Sequence, residues 1–293
     1  MACCSLSPAA FSRTRGLASE AIFKGKLVHT LGYQNSVKNL STGGNALLLP
    51  IPARPRTMTA ANIVDTSSAP DFFDSIERAF PVPLAASGAS QVHDRGVTIK
   101  APIVFEHDIY TIVLAGDAEQ IPAVLKRVPA ARRPNLNPEI FKAYARWYKG
   151  WTFALCCFNN REQANAKPML WWYEPSDPST LFFPALDAHT GHAPDLGASV
   201  DVDHLVAFGT NKHIVPTSWP VDYAPNEWVA FIQKSKTSQK MSTTLRQLLP
   251  RTVLGQRFSG IDLPNGDFVV QLSDLLQGQI RISRQLPPGA AKS

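Results

Sequence analysis

The chain of 293 residues contains no uninterrupted apolar run long enough for a membrane-spanning helix, which needs about 18 residues. Charged residues make up only 18% of the sequence, and its 24 prolines are scattered rather than periodic. This composition excludes a long coiled coil, collagen and wholesale disorder, and we expect no membrane partner. Hydrophobic residues make up 44%, the proportion that a packed core needs.

The common catalytic signatures are also missing. The sequence has no Gly-x-Gly-x-x-Gly, no phosphate loop, no His-Glu-x-x-His and no Gly-x-Ser-x-Gly. The sequence therefore lacks the motifs that usually identify ATPases, dinucleotide enzymes, zincins and α/β-hydrolases. Nothing resembles a nucleic-acid footprint, so we expect no nucleic-acid partner.

The four cysteines form two adjacent pairs, Cys3-Cys4 and Cys156-Cys157. Neighbouring side chains on a strand point to opposite faces, so these pairs are poorly placed to form disulfides. They also lack the spacing of a zinc ribbon. Reduced, buried thiols in a cytoplasmic protein are the simplest interpretation.

The positive charge is confined to one end of the chain. Residues 1–57 hold seven basic residues and one acidic residue, which accounts for the whole formal charge of +6. This segment lacks a sustained hydrophobic period, so we expect a disordered tail or an extension that precedes a start at Met58. Organelle targeting through residues 1–57 is the alternative. Residues 58–293 are expected to form one domain, with a lobe boundary or long loop near 210–226.

Apolar spacing predicts helices over residues 71–80, 117–128 and 138–149. Two β runs, 97–105 and 109–114, separate the first two helices. Further extended segments follow the third helix, and short connections favour the pairing of neighbours in an antiparallel meander. We therefore predict an α+β fold, with a largely antiparallel sheet and a few helices packed on one face. The later extended segments are 151–158, 168–173, 181–186 and 200–208, and the Asn265-Gly266 pair predicts a hairpin between 257–263 and 268–272.

Metal-ligand residue types cluster between residues 187 and 204, where three of the seven histidines occur. Asp187 ends one predicted strand and Asp201–His204, which includes Asp203, begins the next, so an antiparallel pair would place these two ends about 5 Å apart. His189 and His192 lie on the intervening loop. Imidazole and carboxylate ligands suit a divalent metal such as zinc, manganese or iron. We therefore expect Asp187, His189, His192 and Asp203 to bind a metal, with His189 and Asp203 also catalytic.

Strand alternation places His204 with the neighbouring valines on an apolar face, where a core histidine is the favoured interpretation. The competing interpretation of the whole cluster is a polar turn. In it Asp187 bonds to local backbone and the other histidines face solvent.

Aromatic residues are concentrated between residues 141 and 183, which hold 12 of the chain's 27. Trp171 and Trp172 point to opposite faces of a predicted strand, so at least one is expected to be partly exposed. An exposed indole could stack on a sugar ring, a base or another planar ligand, which makes both residues candidate substrate contacts. The alternative is that these rings only build the core.

Together these patterns predict an enzyme that acts on a small molecule, a metal-assisted hydrolase at the Asp187–His204 loop. The alternative is a non-catalytic ligand- or protein-binding module with an aromatic-rich sheet.

Overall fold

The computed structural model describes residues 4–80, 102–212, 218–223, 241–280 and 282–290. Residues 97–101 of the first predicted β run lie outside this part of the chain, as do 213–217 and 224–226 of the predicted lobe boundary. The strands are β1 (Cys4–Ser5), β2 (Ala9–Phe23), β3 (Lys26–Asn39), β4 (Asn45–Ile51), β5 (Ile103–His107), β6 (Tyr110–Ala115), β7 (Thr152–Phe158), β8 (Ala164–Asn165), β9 (Met169–Tyr173), β10 (Thr180–Phe183), β11 (Ser199–Thr210), β12 (Trp219–Pro220), β13 (Thr252–Pro264), β14 (Asp267–Gln271) and β15 (Arg284–Gln285). The helices are α1 (Phe72–Ala79), α2 (Ile121–Val124), α3 (Pro138–Trp147), α4 (Thr243–Leu248) and α5 (Leu272–Leu276), with short 3₁₀ turns at Ala60–Asn62, Ala118–Gln120, Leu125–Arg127 and Ala130–Arg132.

The strands form three sheets, and their pairing is largely antiparallel, as the sequence predicts. Sheet I has the order β1-β4-β7-β6-β5, and sheet III has the order β10-β14-β15. Sheet II has the order β12-β13-β11-β2-β3-β8, with β9 also paired to β3. The pair of β2 and β11 is parallel.

Sheets I and II pack face to face and share one hydrophobic core. Leu47 and Cys156 of sheet I belong to the same cluster as Leu31 and Trp171 of sheet II. Helix α3 covers the outer face of sheet I, while α1 and α4 cover the outer face of sheet II. The prediction of helices on one face is therefore wrong. Both sheets have an apolar outer face, and each face needs its own cover.

Residues 4–57 contain four strands that belong to sheets I and II, in place of the expected disordered tail. Strand β4 lies inside sheet I between β1 and β7, and β2 lies inside sheet II between β3 and β11. The short apolar run Ala46-Leu47-Leu48-Leu49 is buried throughout, because the two faces of β4 contact two different core clusters. A strand that is buried on both faces carries apolar residues at consecutive positions. The alternation of apolar and polar residues that identifies a half-buried strand is therefore absent from β4.

The predicted meander is also wrong. Strand β7 pairs with β4 and β6, β9 pairs with β3, and β10 pairs with β14. The four predicted neighbours do not pair in sequence because they lie in three different sheets. Strands β9 and β11 share sheet II, but β3 and β2 lie between them. The predicted hairpin at Asn265-Gly266 fails for a related reason, since β13 belongs to sheet II and β14 to sheet III.

The sequence predicts the helices more accurately than it predicts which strands pair. Helix α1 lies within the predicted 71–80, and α3 begins at Pro138 as expected. The Asn137 side chain caps α3 by accepting a hydrogen bond from the backbone N–H of Glu139 at 3.1 Å. Within the described residues, no helix has the length and apolar character needed to cross a membrane.

Candidate functional site

Two of the four predicted metal ligands lie next to each other. The Asp187 Oδ1 atom is 3.5 Å from the His189 Nε2 atom, and the two side chains are only 13% and 14% exposed. The His189 ring also packs on Phe11, with 5.1 Å between the ring centroids. This pair is therefore largely covered by the protein.

The other two predicted ligands do not join it. His192 is exposed on the loop, and Asp203 lies in β11 opposite a register shift between β11 and β13. In the part of the chain that the structure describes, no group of three or more histidine, cysteine, aspartate or glutamate side chains is placed to hold a metal ion. The predicted arrangement fails because β10 and β11 lie in different sheets, so Asp187 and Asp203 are not cross-strand neighbours.

His204 is a core residue, as the alternation predicts. Its side chain is 1% exposed, and burial lowers the pKa of its imidazole well below the usual value. The imidazole is therefore neutral at physiological pH.

Two residues from the predicted hairpin hold the 187–198 loop and the residues just before it in place. Asn265 is buried, its Nδ2 atom donates to the Asp195 carbonyl at 3.0 Å, and its backbone N–H donates to the Ala198 carbonyl at 2.9 Å. The Asp267 Oδ1 atom accepts a hydrogen bond from the backbone N–H of Ala185 at 2.8 Å. Groups of Asn265 and Asp267 thus organise this part of the chain through hydrogen bonds to its backbone.

The Asp267 carboxylate is the most strongly buried acid in this region. Burial raises its pKa to about 6, although hydrogen bonds from the Tyr148 hydroxyl and the Ala185 backbone and the nearby Arg284 guanidinium act in the opposite direction. The space beside Tyr144, Tyr148 and Asp267 has no room for a water-sized molecule. These polar groups are therefore closed off from any ligand.

An open groove lies elsewhere, on the outer face of sheet II beside Trp172. It encloses about 560 Å³. Trp172 is half-buried and lines it, whereas Trp171 is fully buried in the core between the sheets. The expectation that one of the two indoles is partly exposed is therefore confirmed, and Trp171 does not line this groove. The groove, called the Trp172 groove below, is lined by Phe23, Lys24, Ala61, Ile63, Val64, Asp65, Ser67, Ser68, Trp172, Ser242 and Thr244.

The indole of Trp172 is held in a fixed orientation. Its Nε1–H donates to the Ala61 carbonyl at 3.1 Å, and its ring meets Phe23 edge-on with 5.2 Å between centroids. The wall that carries Ala61 is anchored along β9, since the Asn62 Nδ2 atom donates to the Trp172 carbonyl at 2.8 Å and Val64 N–H donates to the Leu170 carbonyl at 2.8 Å. Such anchoring preorganises the aromatic surface.

Hydroxyl groups from two distant parts of the chain meet across the groove. The Ser68 Oγ atom accepts from the Ser242 backbone N–H at 2.9 Å, and the Ser242 Oγ atom accepts from the Leu245 N–H at 3.2 Å, where it caps α4. Each hydroxyl keeps its own O–H for donation to a ligand. Lys24 adds an ammonium group that lies 5.4 Å from the centre of the Phe23 ring.

A second groove, of about 600 Å³, lies on the other side of residues 63–67. His107 lines it, and burial lowers the pKa of this imidazole despite the opposing effect of Asp108. The His107 Nε2 atom is closed to solvent, and the Asp108 Oδ2 atom accepts a hydrogen bond from the Lys167 backbone N–H at 2.8 Å. A ligand in this groove therefore cannot reach that ring nitrogen.

The cysteines that the structure describes, Cys4, Cys156 and Cys157, are buried and offer no nucleophile. Cys156 and Cys157 face different core clusters on the two sides of β7, as neighbours on a strand should. Burial raises the pKa of Cys157 to about 12, so the reactive thiolate is not populated at neutral pH.

No family model matches the chain, and no curated protein matches it. Among solved structures, a crystal structure of baculovirus P35 is similar at 11% sequence identity, with 90% of this chain and 88% of that chain covered. The TM-score of 0.36 is too low to support a conclusion about fold or function.

Proposed function

We propose that this protein is a non-catalytic ligand-binding module and that the Trp172 groove holds a saccharide ring. The observation that carries the proposal is the position of Trp172, a fixed and half-buried indole at the wall of an open groove lined with hydroxyl groups. Its volume of about 560 Å³ falls in the range of about 300–1,000 Å³ that is usual for small-molecule sites.

The polar groups of the groove favour a sugar over a purely apolar ligand. The apolar face of a pyranose ring can stack on an indole, while its hydroxyls need donors and acceptors around its edge. Ser67, Ser68 and Ser242 supply hydroxyls, and Asp65 supplies a carboxylate. The Asp65 carboxylate remains ionised well below neutral pH, because hydrogen bonds from the Ser67 backbone and side chain lower its pKa. It can therefore accept hydrogen bonds from sugar hydroxyls.

The metal-assisted hydrolase expected from the sequence has less support. Its mechanism needs a metal ion to activate water or polarise the substrate. The described residues around Asp187 and His189 do not assemble the ligands for one, and Trp172 lines a groove to which no described residue of 187–204 contributes. Of the two functions that the sequence suggests, we therefore propose the binding module rather than the hydrolase.

The experiment is a calorimetric titration with glucose, mannose, galactose and N-acetylglucosamine. At least one sugar should bind the unmodified chain, and Trp172→Ala should weaken it at least about tenfold, which corresponds to about 1.4 kcal/mol. Trp151→Phe is the matched control, because Trp151 is also half-buried but packs on Tyr148 and Phe182 away from the groove.

Two outcomes would contradict the proposal. One is that no sugar binds, and the other is that a sugar binds equally well to Trp172→Ala and to the unmodified chain. Binding of adenine in place of the sugars, with the same dependence on Trp172, would retain the groove as a site and reject the saccharide assignment.

A further inference from the structure

Strand β2 contains an irregularity at Arg13. Ser12 pairs with Ser36 and Arg15 pairs with Gln34, so Arg13 and Thr14 together oppose one residue of β3. This is a β-bulge, a feature often found beside functional sites, where it redirects a side chain. Arg13 has a φ of +53°, a conformation that costs a residue with a side chain free energy.

The bulge places Arg13 at the edge of a small polar cavity of about 180 Å³. A water molecule occupies about 30 Å³ in the liquid, so the cavity has room for a small polyatomic ion. Each residue that lines it carries a polar or charged side chain, and these residues include Arg13, Arg15, Gln34, Ser36, Asp74 and Asn165.

The charge in this cavity is not balanced within the part of the chain that the structure describes. Arg15 forms an ion pair with Asp74 and lies 3.4 Å from a Glu77 carboxylate oxygen. Arg13 is exposed and has no ion pair with a described residue. Its guanidinium is therefore the uncompensated charge at the cavity.

The amide groups of the cavity are oriented as donors. The Ser36 hydroxyl donates a hydrogen bond to the Asn165 Oδ1 atom, which leaves both N–H bonds of that amide for other acceptors. The Gln34 Nε2 atom donates one N–H to the Ala166 carbonyl at 3.0 Å and retains a second. Planar guanidinium groups bind phosphate oxygens through paired hydrogen bonds, and amide donors complete such a site.

We propose that the bulge at Arg13 builds a binding site for a phosphate group, in which Arg13 is the principal phosphate-binding residue. Arg15 contributes the N–H groups that its carboxylate partners leave unused. The side chain of Arg13 is brought to the cavity by the bulge, which gives the unfavourable backbone conformation a functional reason. This site is separate from the Trp172 groove and does not depend on the function proposed for it.

The test is a calorimetric titration of the full chain at low ionic strength with two probes, inorganic phosphate and phosphoserine. Binding of both would show that the phosphate group itself is recognised, and binding of phosphoserine alone would show that the group must be carried on a larger molecule. Either result supports the site if Arg13→Gln weakens binding at least tenfold. Arg56→Gln is the matched control, because Arg56 is also exposed, has a φ of +65° and lies outside the cavity.

A second variant guards against a loss of binding that is caused by unfolding. Arg13→Gly should keep the melting temperature of the unmodified chain, because glycine accepts a positive φ, and should still lose phosphate binding. The proposal is overturned if neither probe binds the unmodified chain. It is also overturned if Arg13→Gln and Arg13→Gly bind as tightly as the unmodified chain does.

Discussion

Asn265 and Asp187 are joined by a reciprocal pair of hydrogen bonds. The Asn265 Oδ1 atom accepts from the Asp187 backbone N–H at 2.8 Å, and the Asn265 Nδ2 atom donates to the Asp187 carbonyl at 2.9 Å. The side chain thus pairs with the peptide backbone as a neighbouring strand would. It fixes the start of the loop that the sequence singles out as a metal site.

Replacement of Asn265 by alanine should destabilise the protein strongly. The change removes these bonds and the bond to Asp195, and it leaves buried backbone groups without partners, at about 1–3 kcal/mol for each unsatisfied group. We expect the free energy of unfolding in urea to fall by about 3 kcal/mol. The control in the same loop is His192→Ala, which alters an exposed side chain and should change stability by less than about 0.5 kcal/mol. Equal effects would contradict this role of Asn265.

A glycine in β2 tests whether the first 57 residues belong to the core. A Cβ atom added at Gly16 would lie 2.3 Å from the Phe183 ring, whereas one added at Gly43 would meet nothing within 4 Å. Gly16→Ala should therefore lower stability by about 1–3 kcal/mol through overpacking, and Gly43→Ala should not. Thermal unfolding of the two variants measures the difference. If Gly16→Ala has the same melting temperature as the unmodified chain, β2 is not packed against Phe183 as described.

The sequence predicts local structure here far better than it predicts pairing. The spacing of Phe72, Phe73 and Ile76 and the cap at Asn137 are encoded within a few residues, so α1 and α3 follow directly from them. Strand pairing depends on contacts between distant residues, such as those of β2 with β11, and no short window contains that information. The continuous apolar run of β4 is equally compatible with several structures.

The same distinction explains what the sequence reveals of the candidate site. Alternation along β9 correctly predicts that Trp171 and Trp172 differ in exposure, because that property is local. Ser68 and Ser242, which also line the Trp172 groove, are brought together only by the tertiary fold. The predicted neighbours Asp187 and Asp203 are separated for the same reason.

Acid should destabilise the protein through His29, a fully buried side chain in β3. Burial lowers its pKa to about 4, against an ordinary value of 6.5. The unfolded chain therefore binds the proton first, and stability falls as the pH decreases from 6.5 to 4, by about 3 kcal/mol for this group. His29→Gln should flatten this part of the stability profile measured by urea unfolding. An unchanged slope would show that His29 does not titrate as described.

Asp267 should contribute in the opposite direction. Because burial raises its pKa to about 6, the folded protein binds this proton more tightly than the unfolded chain does. Its contribution to stability therefore increases as the pH decreases from 6 towards 4, by at most about 3 kcal/mol. In Asp267→Asn this contribution is absent, so the variant should lose more stability than the unmodified chain between pH 6 and 4. Parallel profiles for the two proteins would contradict the raised pKa.

The indole N–H resonance of Trp172 reports directly on whether a saccharide occupies the Trp172 groove. In a ¹H–¹⁵N spectrum this signal is assigned by its loss in Trp172→Phe, and its position is then followed during titration with the saccharides. We predict a progressive shift of the Trp172 signal while that of the buried Trp171 stays in place. A Trp172 signal that does not move at saturating sugar, or one that moves no more than the Trp171 signal, would contradict a saccharide site in the Trp172 groove.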